Sequence, residues 1–180
     1  MRLKSIFYPF FLLLFISMQL SCNNQGKKAA TKEEATKSPS TEVIFKDYGN
    51  QPTVLDIEEY TLKNDKFRVV LWTGKNIQLT VMSIPVGGDI GLEQHNDIDQ
   101  FLRVESGKGQ VSMGDTEDNL DFVKTVEDDD IILVPAGKWH NIVNIGNTPL
   151  KLYSIYGPAE HPHGTVHNTQ ADDPDFGKDE

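Results

Sequence analysis

The chain has one cysteine in 180 residues, Cys22, and it stands before the part that reads as folded. No disulfide can form within such a chain and no thiolate remains for the folded part, so any metal there must be held by nitrogen and oxygen donors. Basic residues are also in deficit. Against 27 Asp and Glu there are 17 Lys and Arg, a formal net charge of -10, which argues against a phosphate backbone or an anionic lipid surface as partner. Internal repeats are missing, which excludes a solenoid or propeller. Residues 23–41 lack any aliphatic side chain larger than Ala and cannot bury enough surface to fold, so they read as a disordered tether.

There is one long apolar run, from Ile6 to Leu20, interrupted by Pro9, Ser17 and Gln19, preceded by Arg2 and Lys4 and followed by Ser21-Cys22. A positive start, an apolar middle and a small residue before the cut make the layout of a secretory signal. The run approaches the roughly 20 residues of a membrane span, but Pro9 and the placement of Cys22 favour cleavage. Leu20-Ser21-Cys22 resembles the lipobox of bacterial lipoproteins, in which the cysteine is lipidated and becomes the first mature residue. Gln19 stands where an aliphatic residue is usual. The expected organisation is a lipoprotein signal peptide at 1–21, a tether at 22–41, a barrel at 42–160 and a His-containing, acidic tail at 161–180. Removal of the signal takes the net charge to -12, as it carries Arg2 and Lys4 and no acid. The lipid on Cys22 would hold the protein to a membrane of the cell envelope, as a periplasmic or outer-membrane lipoprotein.

From Thr53 through Leu62 the spacing predicts a short helix with Thr53 as its N-cap. Strands are then expected over 67–73, 77–84, 90–95, 100–105, 109–113, 120–126, 131–134, 139–145 and 150–156, rich in β-branched and aromatic residues and separated by turn residues. Nine short strands without an intervening helical period predict an all-β barrel or sandwich. The acidic stretches Asp115 to Asp121 and Glu127 to Asp130 lack the ligand order of an EF-hand loop and read as solvated turns.

Two separated stretches carry the chemistry: Gly87-x5-Glu93-x-His95-x4-Gln100-x6-Gly107 and Pro135-x-Gly137-x2-His140-x3-Asn144. On a strand Glu93 and His95 share a face, and Gln100 returns beside them after the polar turn Asn96 to Asp99. His140 follows a Pro-Ala-Gly turn that ends an apolar run. A carboxylate inside a barrel is costly without a compensating cation, so Glu93, His95, Gln100 and His140 are candidate ligands; a metal-free cavity for a sugar or other small molecule is the alternative. Taken singly, a strand histidine is often a hydrogen-bonded core residue.

The two stretches resemble the signature motifs of the cupins, over roughly residues 60–158. Glu93 stands where the first His is usual, Gln100 where the Glu is usual, and Asp129 where the second motif opens on Gly. The resemblance implies a double-stranded β-helix, the cupin jelly-roll barrel, with a short N-terminal helix and a divalent metal ion (Fe, Mn, Zn or Ni). A second resemblance lies within that superfamily: phosphomannose isomerases in their bacterial cupin form carry Gln-x-His-x4-Glu, and here the Gln and Glu are exchanged. Two His and one carboxylate are also the set that holds non-haem Fe(II) with positions left open. The resemblance therefore implies an oxygenase, isomerase or decarboxylase acting on a small polar molecule, and the other reading is a non-catalytic small-molecule or sugar-binding module. Edge strands of such barrels often pair between chains, which would give a homodimer.

Asn144, four residues after His140, is expected to orient its imidazole. Arg103 is expected to face outward and pair with a surface acid, while Leu102 and Val104 face inward. His161, His163 and His167 read either as a flap over the barrel mouth or as a surface tail, and the surface tail is the preferred expectation.

Overall fold

The computed structural model describes residues 42–174, so the expected signal, the tether and the last six residues lie outside it. Among the described residues no helix is long and apolar enough to cross a membrane. One helix, α1 (Ile57–Lys63), precedes ten strands: β1 (Arg68–Thr73), β2 (Gln78–Ile84), β3 (Glu93–Gln94), β4 (Asp99–Ser106), β5 (Lys108–Gly114), β6 (Phe122–Glu127), β7 (Ile131–Val134), β8 (Trp139–Asn144), β9 (Leu150–Gly157) and β10 (Val166–His167). All paired strands run antiparallel, in a six-stranded sheet ordered β10-β1-β2-β9-β4-β7 and a four-stranded sheet ordered β3-β8-β5-β6. The architecture is a jelly-roll barrel.

Alternation along the strands builds the interior. Leu102 and Val104 of β4, Ile142 of β8, and Leu150 and Leu152 of β9 are fully buried and meet Val111, Ile132 and Met82 in one core between the sheets. Toward the other end of the same strands the inward positions become polar: Gln100 on β4, His140 on β8, Ser154 and Tyr156 on β9, Gln78 and Thr80 on β2, all buried. One end of the barrel is thus closed by aliphatic packing while the other is lined with hydrogen-bonding groups. The outer face of β1 and β2 is covered as well. Val69, Leu71 and Val81 pack against Tyr60 of α1 and against Val43, Phe45 and Tyr48, which is why β1 reads as a continuous apolar run rather than an alternating one.

Several expected boundaries move. Thr53 does not cap α1; its hydroxyl donates to the Gln51 carbonyl at 2.9 Å, and the helix begins after Asp56, whose carboxylate accepts from the Glu59 amide at 3.1 Å. The strand expected over 90–95 shrinks to two residues, because Gly91 takes φ 92° and Asp89 Oδ1 accepts from its amide at 3.0 Å in a tight turn. A tenth strand, β10, was not anticipated. It adds to β1 with Arg68 opposite His167. Arg103 faces outward and pairs with Asp129, as expected, and lies 3.5 Å from Glu105.

Asp129 has φ 70°, and it alone among the described non-glycine residues has a positive φ. This explains why Gly is usual there: the turn between β6 and β7 needs the left-handed conformation, which Asp tolerates better than most residues. Asp129→Val is expected to lower stability by about 1–2 kcal/mol, while Asp129→Gly stays within about 0.5 kcal/mol of the parent. Urea denaturation midpoints check both.

Candidate metal centre

The two sequence motifs are fastened together by β3 and β8. Glu93 lies opposite His140 and Gln94 opposite Trp139, and the Gln94 amide donates to the Gly137 carbonyl at 2.9 Å while the Gly137 amide donates to the His95 carbonyl at 2.8 Å. Gly137 sits at φ 79°, so its turn could not be made equally well by a residue with a side chain. The cross-strand pairing puts the Glu93 and His140 side chains on one face. His140 Nε2 lies 3.2 Å from Glu93 Oε1, and His95 Nε2 lies 3.4 Å from the same oxygen. One ligand atom from each of Glu93, His95 and His140 falls within 4.8 Å of the others. From β4, Gln100 brings its Oε1 to 2.9 Å from His140 Nε2, while its amide nitrogen donates to Ser154 Oγ at 3.1 Å. All four candidate residues are brought together.

The hydrogen-bond directions decide what this cluster wants. His140 Nδ1 lies 3.0 Å from the Lys138 carbonyl, an acceptor, so Nδ1 carries the proton. In the neutral imidazole Nε2 then points a lone pair at two more acceptors, Gln100 Oε1 and Glu93 Oε1. Four lone pairs facing one point repel one another unless a proton or a cation sits among them. Glu93 Oε1 and His95 Nε2 are enclosed and have no hydrogen-bond partner, although the Glu93 side chain as a whole is 23% exposed. A divalent cation fits this donor set of two nitrogens and two oxygens, which has one negative charge.

Without a cation, protons take its place. Burial alone would raise the Glu93 carboxyl, but the His140 and His95 imidazoles, 3.2 and 3.4 Å from its Oε1, outweigh it and hold the group far below the usual carboxylate range. Burial lowers His95, and the negative charge of Glu93 3.4 Å away, joined by that of Glu160, overrides it and raises the imidazole. The same arrangement that favours a cation therefore favours a proton between Glu93 and a histidine when none is bound.

Around the four residues the structure places groups that spacing alone did not reveal. Glu160 Oε1 lies 3.5 Å from His95 Nδ1, in the position of a carboxylate that orients a ligating imidazole from behind. Tyr156 stands edge-on to His95 at 6.0 Å and to His161 at 5.1 Å, and burial pushes its hydroxyl up to about 12, so it keeps its proton at neutral pH. Arg68 of β1, 1% exposed, pairs with Asp173 of the C-terminal segment. A sequence signal existed for Glu160 and Arg68 only as charges flanking apolar strands, with nothing to say which other segment they would meet. Glu160→Gln is expected to weaken metal affinity roughly tenfold without unfolding the chain, as outer groups behind ligating histidines do. A competition titration against a chromogenic chelator measures it.

Two expectations are corrected. Asn144 does not orient His140: its amide donates to the Ile84 and Thr148 carbonyls, each at 2.9 Å, and its oxygen accepts from Gly146, so it ties the apolar end of the barrel to the β8–β9 turn. The Lys138 carbonyl takes the role expected of it. The surface-tail expectation holds for His163, whose side chain is 63% exposed beside Asp47, and fails for His161 and His167. The Gln78 side chain grips the backbone of His161 from both sides, donating to its carbonyl at 2.8 Å and accepting from its amide at 2.9 Å, and β10 carries His167 inward. Residues 158–174 form a strap that starts over the polar end, at Gln78, and then runs along the edge of β1.

An antiparallel jelly-roll with a carboxylate, two imidazoles and an amide gathered at its polar end has the construction of a cupin. The chain belongs to the cupin superfamily, and its residues 80–156 match the model of the cupin domain. It is 57% identical over 130 residues to the uncharacterized protein YrkC of Bacillus subtilis, covering 72% of this chain and 70% of that one. It is 42% identical over 118 residues to the uncharacterized protein L612 of Acanthamoeba polyphaga mimivirus, covering 65% of this chain and 72% of that one. Among solved structures it is similar to BH2720 of Bacillus halodurans, with 59% identity, 71% of this chain and 96% of that chain covered, and a TM-score of 0.70.

Proposed function

We propose that the chain is a metal-binding cupin whose Glu93, His95, His140 and Gln100 hold one divalent ion, Fe, Mn, Zn or Ni, and that it works on a small polar molecule. The observation that carries this reading is the pair of enclosed, partnerless atoms, Glu93 Oε1 and His95 Nε2, facing the same point as His140 Nε2 and Gln100 Oε1. A dication with one carboxylate keeps a net charge near +1 and acts as a Lewis acid toward an anionic or enolisable oxygen. Glu93 supplies the charge, Gln100 a neutral oxygen fixed by Ser154, and Glu160 and the Lys138 carbonyl keep the ring protons on the far side of the two imidazoles. Elemental analysis of protein made without a His-tag is expected to find about one first-row divalent ion per chain. A content that stays below about 0.2 per chain after soaking with each metal would sink the reading.

Oxygenase, isomerase and decarboxylase chemistry all suit such an ion. One observation favours the second reading, a module that holds its ligand without turning it over. His161, beside Tyr156, is pushed down to about 3 by burial and then by the Arg68 guanidinium, and the Tyr156 hydroxyl is pushed up to about 12, so neither exchanges a proton readily at neutral pH. Oxygen uptake and isomer interconversion, followed with Fe(II), Mn(II) and Zn(II) forms against catechols, diketones and sugars, separate the two: turnover abolished in His140→Ala is the enzyme's signature. We also propose that Cys22 carries the lipid anchor in the cell envelope, on the strength of the 1–22 pattern. Cys22→Ala should then move the protein from the membrane to the soluble fraction.

A further inference from the structure

We infer that Arg68 forms an anion subsite beside the metal centre, built for the carboxylate of a small ligand, and that the chain's own Asp173 occupies it at rest. This deepens the metal-binding reading and rests on it for the ligand's second anchor.

Arg68 is 1% exposed, and a guanidinium at such depth is tolerated only when paired. Its partner comes from the far end of the chain: Nη1 donates to Asp173 Oδ2, across 105 positions of sequence. The pairing is half-used. Arg68 Nε is enclosed and has no hydrogen-bond partner, whereas the guanidinium fork is shaped to give a carboxylate two parallel bonds. Arg68 is joined to the metal cluster by a run of rings: Oδ2 of its partner Asp173 lies 3.6 Å from His167 Nδ1, and the rings of His167 and His161 stand 6.5 Å apart, those of His161 and Tyr156 5.1 Å, and those of Tyr156 and His95 6.0 Å. A carboxylate that took both Nε and Nη would therefore enter at the far end of this run of rings from His95, and its second oxygen group would be aimed along it toward the cation site.

Asp173 is suited to yield. Its side chain is 14% exposed against 1% for Arg68, so it stands nearer to water than the guanidinium, and the His167 Nδ1 that lies 3.6 Å from its Oδ2 is another contact it would give up. Replacing one carboxylate by another leaves the buried charge unchanged, which removes the largest cost of exchange. The rest of the strap need not move, because Gln78 holds His161, Asp47 accepts from the Gly164 amide at 3.0 Å, and β10 is paired to β1. Release is confined to the 3-10 turn Gln170–Asp172 and Asp173 itself, whose amide donates to the Gln170 carbonyl at 3.0 Å.

The test uses glycolate, whose carboxylate and adjacent hydroxyl match Arg68 and a metal, against its uncharged analogue glycolamide, with the chain both metal-loaded and stripped by chelator. Calorimetry is expected to show glycolate binding in preference to glycolamide, tightening about tenfold in Asp173→Asn and weakening about tenfold in Arg68→Lys, which keeps the charge but loses the fork. Hydrogen exchange at the amides of residues 172 and 173 should quicken when glycolate binds the parent chain. These effects persist without metal, so a barrel that binds no metal yet shows them refutes the metal reading alone. The subsite is overturned if glycolate fails to bind Asp173→Asn, if its affinity is the same in Asp173→Asn as in the parent, or if glycolamide binds as well.

Discussion

Glu93→Gln is expected to cut the affinity for a divalent ion by more than about a hundredfold while the barrel remains folded. Of the four donors gathered at the polar end, Glu93 alone brings a negative charge, so an isosteric amide removes the whole electrostatic attraction for a cation and little of the shape. Groups one step behind a ligand are worth about 10–100-fold in affinity, and the charged ligand itself should exceed that. The substitution also leaves the β3–β8 pairing untouched, since that rests on main-chain bonds and on Gln94 with Gly137. The loss should therefore appear in binding and not in folding. A cation at a hundred times its dissociation constant stabilises the parent by about 2.7 kcal/mol, and the Gln variant should keep no more than about 0.4 kcal/mol of that gain in a thermal scan. Calorimetric titration with Zn(II) or Mn(II) gives the affinity directly, and equal affinities in the two chains would remove Glu93 from the ligand set.

The sequence carried the barrel and the ligand set because both are written in short periods. Residues two apart on a strand share a face, so Glu93 with His95 and Leu102 with Val104 could be assigned by counting, and the register of β3 against β8 then brought His140 opposite Glu93. What could not be counted is which segments meet across the barrel. Arg68 and Asp173 are 105 positions apart, and Glu160 meets His95 only because the strap turns back over the polar end. Asn144 misled for a related reason. It shares His140's face but stands two pleats away at the aliphatic end, where a polar side chain was needed to satisfy the Ile84 and Thr148 carbonyls instead. His161 and His167 lie in a segment with few apolar residues, which usually marks a solvated tail; their burial comes from the grip of Gln78 and the pairing of β10 with β1.

In the metal-free chain, stability is expected to fall as pH drops from about 6.5 toward 4.5, and His161 is the residue responsible. Its imidazole is pushed down to about 3 by burial and by Arg68, whereas an unfolded histidine takes up its proton near 6.5. Between those values the unfolded chain holds a proton that the folded one refuses, so acidification favours unfolding by up to about 1.4 kcal/mol per pH unit. Partial access of water to the ring reduces this, and a loss of about 2 kcal/mol between pH 6.5 and 4.5 is expected. The other shifted groups act elsewhere. Glu93, held low, contributes stability above the ordinary carboxylate range and loses it only as pH falls further, through its folded value. His95, raised, contributes fully below about 6.5 and loses its contribution as pH climbs through its folded value, on the alkaline side of the window. Glu105, raised by burial, works in the opposite sense within the window but is common to every variant that keeps it. His161→Phe retains an aromatic edge against Tyr156 and removes the titration. Its urea midpoint should change far less than the parent's between pH 6.5 and 4.5, with chelator present throughout. Parallel curves for the two chains would show that the acid sensitivity belongs to another group.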